Sequence, residues 1–306
     1  MSKSTGSRAG SPTPDRRPPT PLFRQMAVLG VGLIGGSLAL AAKRAGAVGR
    51  VVGLSRSAAN RAEALRAGIV DEATDDLAAA VSGADLVVLA TPVYTIVAQL
   101  PQLAPLLTPA CLVTDVGSVK GPILAAGDAA FPDGRFVAGH PIAGSEHSGP
   151  AAARADLFVE HNWIVTPGER TRPEAVARLS ALWRAAGARV VSMAAPWHDQ
   201  VFAAVSHLPH VVAYALMDAV LCLERDGERV KYAAGGLRDY TRIAGSDPEM
   251  WRDIFLMNRE ALLNVMAEYR RALDRLEAAI RAGDGEALTR QLLRLRRGRE
   301  EIGHRS

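Results

Sequence analysis

The chain has 306 residues, 48% of them hydrophobic and 22% charged, with a formal net charge of +4. That length suits about two domains with an ordinary globular core, and the small basic excess gathers at the chain ends, which excludes a basic nucleic-acid-binding body. Its two cysteines, Cys111 and Cys222, sit far apart in apolar runs, which excludes a disulfide framework or a cysteine metal site; no apolar run approaches the eighteen or so residues of a membrane span.

Residues 1–24 are rich in Ser, Thr, Gly, Pro and Arg and read as a disordered tail that cannot bury enough surface to fold. It has no apolar signal core, and its prolines oppose the amphipathic helix of a transit peptide, so a cytoplasmic protein is expected. Met26-Ala27-Val28-Leu29 is an apolar strand. It runs into Gly30-Val31-Gly32-Leu33-Ile34-Gly35-Gly36-Ser37 and then the helical Leu38–Ala42. Gly30 permits a tight turn, Gly32 lets the backbone approach a pyrophosphate, and Gly35 lets helix and strand pack closely. Leu33 and Ile34 open the helix, where free N–H groups favour an anion. The strand Val51–Leu54 ends at Ser55-Arg56-Ser57, about twenty residues on, where an NAD-binding protein usually carries an acidic residue for the ribose 2′-hydroxyl. A hydroxyl and a guanidinium stand there instead, so NADP is the expected cofactor in preference to NAD.

Helices are expected at Ala58–Ala67, Asp76–Val81 and through about Leu107, with strands at Asp85–Ala90, Cys111–Asp115 and Arg135–Ala138. Apolar strands alternating with helices are the pattern of a parallel sheet covered on both faces, whose ligands bind beyond the carboxyl ends of the strands. Thr91-Pro92, Gly117-Ser118-Val119-Lys120 and Gly139-His140-Pro141 lie at such ends. Two further strands, at Trp163–Val165 and Arg189–Val191, flank a helix at Pro173–Ala186, and the α/β domain is expected to span residues 25–195. Residues 196–300 carry only helical periodicity. A long apolar helix, His198–Leu223, contains Pro209 and is expected to kink, with Ser206 and His210 on one face. Asp239–Ser246 reads as a turn-rich junction, Pro248–Ala282 as helical and Glu286–Arg299 as a basic helix with a solvated face.

The glycine turn, Asp115-Val116-Gly117-Ser118-Val119-Lys120, Gly139-His140-Pro141-Ile142-Ala143-Gly144-Ser145-Glu146, Ser206-His207-Leu208-Pro209-His210 and the stretch Gly235–Pro248 occur in that order. Together they resemble the prephenate/arogenate dehydrogenase family of tyrosine biosynthesis, from about Met26 to Arg299. The resemblance implies a Rossmann domain followed by an all-α domain that forms a homodimer. It also implies NAD(P)-dependent oxidative decarboxylation of prephenate or arogenate. In that reaction hydride leaves the ring carbon bearing the hydroxyl, the hydroxyl proton is drawn off, and carbon dioxide departs as the ring becomes aromatic.

By the same resemblance His140 is the catalytic base, a role that suits an imidazole near neutral pH, and Ser118 hydrogen-bonds around the same hydroxyl and the cofactor. Ser206, His210, Arg242 and Glu146 line the substrate side, and Arg242 grips a carboxylate. Gly30, Gly32, Leu33, Ile34, Gly35, Ser55, Arg56, Thr91 and Pro92 hold the cofactor. No metal, nucleic acid or membrane is expected. His147 and His207 have weaker claims, and Arg252 is equally suited to pairing with Asp253 or Glu249. The competing readings are a β-hydroxyacid dehydrogenase or pyrroline carboxylate reductase, which would not require the His140–Glu146 loop, and a non-catalytic nucleotide sensor, which has no use for a base.

Overall fold

The structure is a computed structural model that describes residues 20–145, 147–223 and 230–303. In chain order the first domain runs β1 (Phe23–Leu29), α1 (Leu33–Arg44), β2 (Val48–Leu54), α2 (Ala58–Arg66), β3 (Glu72–Thr74), α3 (Leu77–Val81), β4 (Leu86–Leu89), α4 (Val93–Leu103), β5 (Leu112–Asp115), α5 (Gly121–Ala130), β6 (Phe136–Val137), β7 (Gly139–Pro141), β8 (Asn162–Val165), α6 (Pro173–Ala185) and β9 (Arg189–Ser192). Strands β1 to β6 form one parallel sheet in the order β3-β2-β1-β4-β5-β6. The order reverses between β1 and β4, and the crevice of a doubly wound sheet opens there.

Side chains of β1 show why both faces are covered. Met26 and Val28 enter a core with α1, α6, Trp163 and Trp183, while Ala27 and Leu29 enter a second core with α4 and α5. Strand residues alternate between faces, so a strand buried on both sides must be apolar throughout. Phe23 is fully buried and opens β1, so β1 starts two residues inside the segment read as tail; residues 1–19 lie outside the described residues.

Trp163–Val165 and Arg189–Val191 are strands, but they do not extend the parallel sheet. With β7 they make a separate three-stranded sheet, β7-β8-β9, in which β7 runs antiparallel to β8. The chain leaves β6 at Val137 and enters β7 at Gly139, so His140 sits at the crossing between the sheets. Gly139 is required there, because a Cβ would lie 2.5 Å from the Trp163 indole nitrogen.

The second part is helical: α7 (Ala195–Phe202), a π-helical turn (Ala203–His207), α8 (Leu208–Leu223), α9 (Gly235–Thr241), a 3-10 turn (Arg242–Gly245), α10 (Pro248–Met257), α11 (Arg259–Ala282) and α12 (Gly285–Gly303). Pro209 does not break the long helix. It offers no N–H to the carbonyl four residues back, and the wide π turn just before it absorbs the misfit. The junction expected at Asp239–Ser246 is itself helical, in α9 and the 3-10 turn, and the expected Pro248–Ala282 helix divides at Asn258. The continuous run Ala195–Leu223 also corrects the membrane-span expectation: it has 29 residues and an 18-residue window of mean hydropathy 1.4, long and apolar enough by length and composition. Yet it carries His198, Asp199, His207 and His210, and the first three are buried within the fold. Trp251 and Ile254 of α10 join the same core as Val93 and Ile96 of α4, which docks the helical part onto the sheet domain.

Candidate functional site

The β1–α1 turn has the geometry its glycines imply. Gly30 adopts φ +102°, and a Cβ there would sit 2.5 Å from the Ala90 carbonyl oxygen at the end of β4. Gly35 packs so closely that a Cβ would lie 2.8 Å from both Ala90 Cβ and Val28 Cγ1. Gly32 differs. It is the N-cap of α1, makes no side-chain cap, and a Cβ on it would meet nothing within 4 Å. The N-terminus of α1, with its free first-turn N–H groups, therefore begins beside unfilled space at Gly32, a fit for a pyrophosphate. Ser55 and Arg56 follow β2, held from behind by Arg61, whose Nη1 donates to their carbonyls at 2.7 and 3.1 Å; the Arg56 side chain is exposed. Thr91 and Pro92 end β4, the Thr91 hydroxyl donating to Gln99 at 2.9 Å.

Half-buried His140 ends a chain whose other members, His198 and Asp199, are buried. Its Nδ1 lies 2.9 Å from His198 Nε2, and His198 Nδ1 lies 2.8 Å from Asp199 Oδ1. Asp199 also accepts the backbone N–H of Lys120 and of Gly121, each at 2.8 Å. Burial opposes its charge, but the His198 hydrogen bond and the two backbone N–H groups outweigh that and hold its carboxyl below the usual range. An ionised Asp199 fixes His198 with its proton on Nδ1, so His198 Nε2 accepts from His140 Nδ1–H. That leaves the lone pair of His140 on Nε2. Burial pushes His140 well below its ordinary pKa, and His198, Lys120 and His207 add to the effect. The result is a neutral imidazole with one basic nitrogen unspent, packed edge-on against Phe202 at 4.9 Å. Ser118 occupies the turn between β5 and α5, two residues from Lys120.

On the helical side, His210 stacks on Trp251 with ring centroids 3.5 Å apart and donates from Nδ1 to the Ser206 carbonyl at 2.9 Å. Burial lowers its pKa; the Ser206 contact opposes this and the nearby charge of Arg242 reinforces it, so Arg242 acts on the His210 ring. The Tyr214 hydroxyl donates to the Ser246 carbonyl at 3.1 Å and ties the Arg242 turn to α8. Arg252 pairs with Asp253, at 2.7 Å from Nη2. His207, expected to be secondary, is buried between the two sets; it disfavours a protonated His140, and its own charged form is disfavoured by burial and by His198 and His210. Glu146 lies outside the described residues.

One family model, described as the prephenate dehydrogenase nucleotide-binding domain, matches residues 38–192, and a second, the prephenate dehydrogenase dimerization domain, matches residues 194–294. The chain belongs to the prephenate dehydrogenase family. Within this dehydrogenase family it is 40% identical over 264 residues to prephenate dehydrogenase of Bacillus subtilis, covering 85% of this chain and 71% of that protein. It is 39% identical over 272 residues to cyclohexadienyl dehydrogenase of Zymomonas mobilis, covering 87% and 92%. The crystal structure of Aquifex aeolicus prephenate dehydrogenase with hydroxyphenyl propionate and NAD+ superimposes with a TM-score of 0.87 at 36% identity, over 91% of this chain and 98% of that one. As a dehydrogenase of this family, the chain is an oxidoreductase with a nucleotide-binding domain.

Sequence reasoning passed over His198, Asp199, Asn258 and Trp251. Asn258 donates from Nδ2 to the Asp199 carbonyl at 2.8 Å and contacts His207 Nδ1 at 3.0 Å, so it ties α10–α11 to the same network. The available signal was a His-Asp pair placed one turn into an otherwise apolar helix.

Proposed function

We propose that this chain oxidatively decarboxylates prephenate, with NADP as the preferred oxidant. The observation that carries the reading is the His140–His198–Asp199 chain, which leaves His140 Nε2 as a neutral base beyond the strand ends where a nicotinamide would lie. The nicotinamide, when bound, takes hydride from the ring carbon bearing the hydroxyl. His140 Nε2 draws off the hydroxyl proton, and the charge it acquires is spread through His198 to Asp199. With the carbonyl formed, the ring carboxylate leaves as carbon dioxide; its bonding pair moves into the ring, the carbonyl π pair moves onto oxygen, and that oxygen regains the proton from His140 Nε2 as the phenol. Ser118 hydrogen-bonds at the reacting hydroxyl. Arg242, with His210 and Ser206, orients the substrate's carboxylates, a task suited to a guanidinium fork. Gly30, Gly32, Leu33, Ile34, Gly35, Thr91 and Pro92 seat the dinucleotide, and Ser55 with Arg56 takes the 2′-phosphate.

We also divide the chain into residues 25–195 for the cofactor and 196–300 for substrate and dimerisation, and infer a homodimer through the helical part. Free thiols, Cys111 buried and Cys222 exposed, support a cytoplasmic setting.

The test is a substrate-by-cofactor kinetic matrix, read as absorbance at 340 nm. Prephenate with NADP should give the highest kcat/KM, and His140→Asn should lower kcat at least about a thousandfold with cofactor affinity retained. Turnover of arogenate alone would reassign the substrate, preference for NAD would overturn the Ser55-Arg56 reading, and unchanged kcat in the variant would remove His140 from the chemistry.

A further inference from the structure

We infer that the buried pair Asp115–Lys120 positions His140 by completing the hydrogen bonding of Gly139, the residue before it. The inference rests on the proposed role of His140 as base. In the antiparallel β7–β8 pair, hydrogen-bonded positions alternate. Thr166 N–H donates to Ala138 at 2.9 Å and Ile142 N–H donates to Asn162 at 2.7 Å, so in the register pairing His140 with Ile164 the N–H and carbonyl of Gly139 face away from β8. Both are buried, and leaving them unpaired would be costly.

Asp115 and Lys120 stand where the next strand would be. Asp115 Oδ1 accepts the Gly139 N–H at 3.2 Å, and Lys120 Nζ donates to the Gly139 carbonyl at 2.7 Å while pairing with Asp115 Oδ2. Gly117 N–H donates to Asp115 Oδ2 at 2.8 Å. Every contact of the Asp115 carboxylate is an N–H donor, which is the arrangement of an ionised pair. Burial pushes the Asp115 carboxyl up and the Lys120 ammonium down, and each partner opposes the other's shift.

The same segment reaches His140 a second way. The backbone N–H groups of Lys120 and Gly121 hold Asp199, which holds His198, which holds the His140 ring. The backbone before the base and the ring of the base are therefore referenced to one turn, Asp115–Gly121, which also carries Ser118. Neither Asp115 nor Lys120 touches Nε2, so both are positioning residues. The Lys120 charge adds a field: with His198 and His207 it disfavours a protonated His140.

The experiment compares Lys120→Met, Asp115→Asn and the double variant with the wild-type full chain. The double variant keeps the protein folded if the single changes do not, because replacing both members of a buried ion pair avoids stranding one charge. In each folded variant kcat should fall about a hundredfold, as expected for a base displaced by around an ångström, while KM for prephenate and the cofactor Kd stay within about threefold. With Lys120 neutral, the acid limb of kcat/KM should move to higher pH. Nitrogen-15 spectra of the cofactor-free protein, with His140 assigned from its absence in His140→Asn, should show one Nδ1–H tautomer in the wild type and a mixture in the variants. Lower melting temperature with wild-type kcat and a single His140 tautomer would overturn the inference. If the wild type itself leaves prephenate unoxidised, the proposed reaction fails, while the imidazole spectrum still decides whether the pair orders His140.

Discussion

Asn258 Nδ2 donates to a backbone carbonyl, so it is the amide nitrogen, and His207 Nδ1 must accept from it. The His207 proton then sits on Nε2, a buried atom with no partner among the described residues. Burial pushes this imidazole down to about 4. In the unfolded chain it titrates near 6.5, so between those values the unfolded state binds a proton that the folded state refuses. Stability is full above about pH 6.5 and is lost as pH falls toward 4, on the order of 3 kcal/mol for His207 alone. His140, His198 and His210 are displaced in the same direction, also by burial. Urea unfolding should thus give a clearly smaller free energy at pH 4.5 than at pH 7, and His207→Gln should flatten that dependence. A variant with the wild-type slope would show that His207 is not held neutral. Residues differ in how far they could be read from sequence. His140 stands in a loop whose neighbours mark it, but its partner His198 is 58 residues away, and only the packing of α7 against the Lys120 turn brings the rings together.

Elements were more legible than contacts where one local pattern decided them. The buried stretches Met26–Leu29, Val51–Leu54, Leu86–Leu89 and Leu112–Val113 are apolar because both faces are covered, and the glycine turn follows from the chemistry of its three positions. The three-stranded sheet was not legible, because a strand as short as β7 has no period to detect and its pairing with β8 is set by tertiary context. The π turn likewise answers a proline, yet nothing in Ala203–His207 itself announces a wider turn. Gly32 and Gly35 allow the element's two duties to be separated. Gly35→Ala puts a methyl group against Ala90 and Val28 and should cost about 1–3 kcal/mol of stability by forcing α1 off the sheet. Gly32→Ala has φ −98° and free space, so it should leave the melting temperature within about a degree while raising the cofactor Kd roughly tenfold or more. Thermal unfolding and cofactor titration on both variants check this. Equal losses of stability would mean that Gly32 serves the fold and not the pyrophosphate.

At the scale of the molecule, the helical part leaves more apolar surface open than one chain needs. Leu221, Leu223, Tyr232, Tyr240, Leu263 and Ile280 are all more than half exposed, and only 11% of the most apolar window of Ala195–Leu223 is buried within the chain. The sheet of the α/β part is unlike this, since cores cover both of its faces, one of them completed by Trp251 and Ile254 of α10. Scattered exposed apolar residues are ordinary, but a concentration on one helical part marks an interaction surface. The match of residues 194–294 to a dimerization domain favours a second copy as the cover. Light scattering coupled to gel filtration should therefore give a mass of twice the 32.4 kDa of one chain. Since the partner binds only the folded state, the melting temperature should rise with protein concentration. Leu221→Glu with Ile280→Glu places charges on that surface without touching the His140 network, and should shift the mass toward one chain at micromolar concentration. A concentration-independent melting point with a single-chain mass for the wild type would rule out the homodimer.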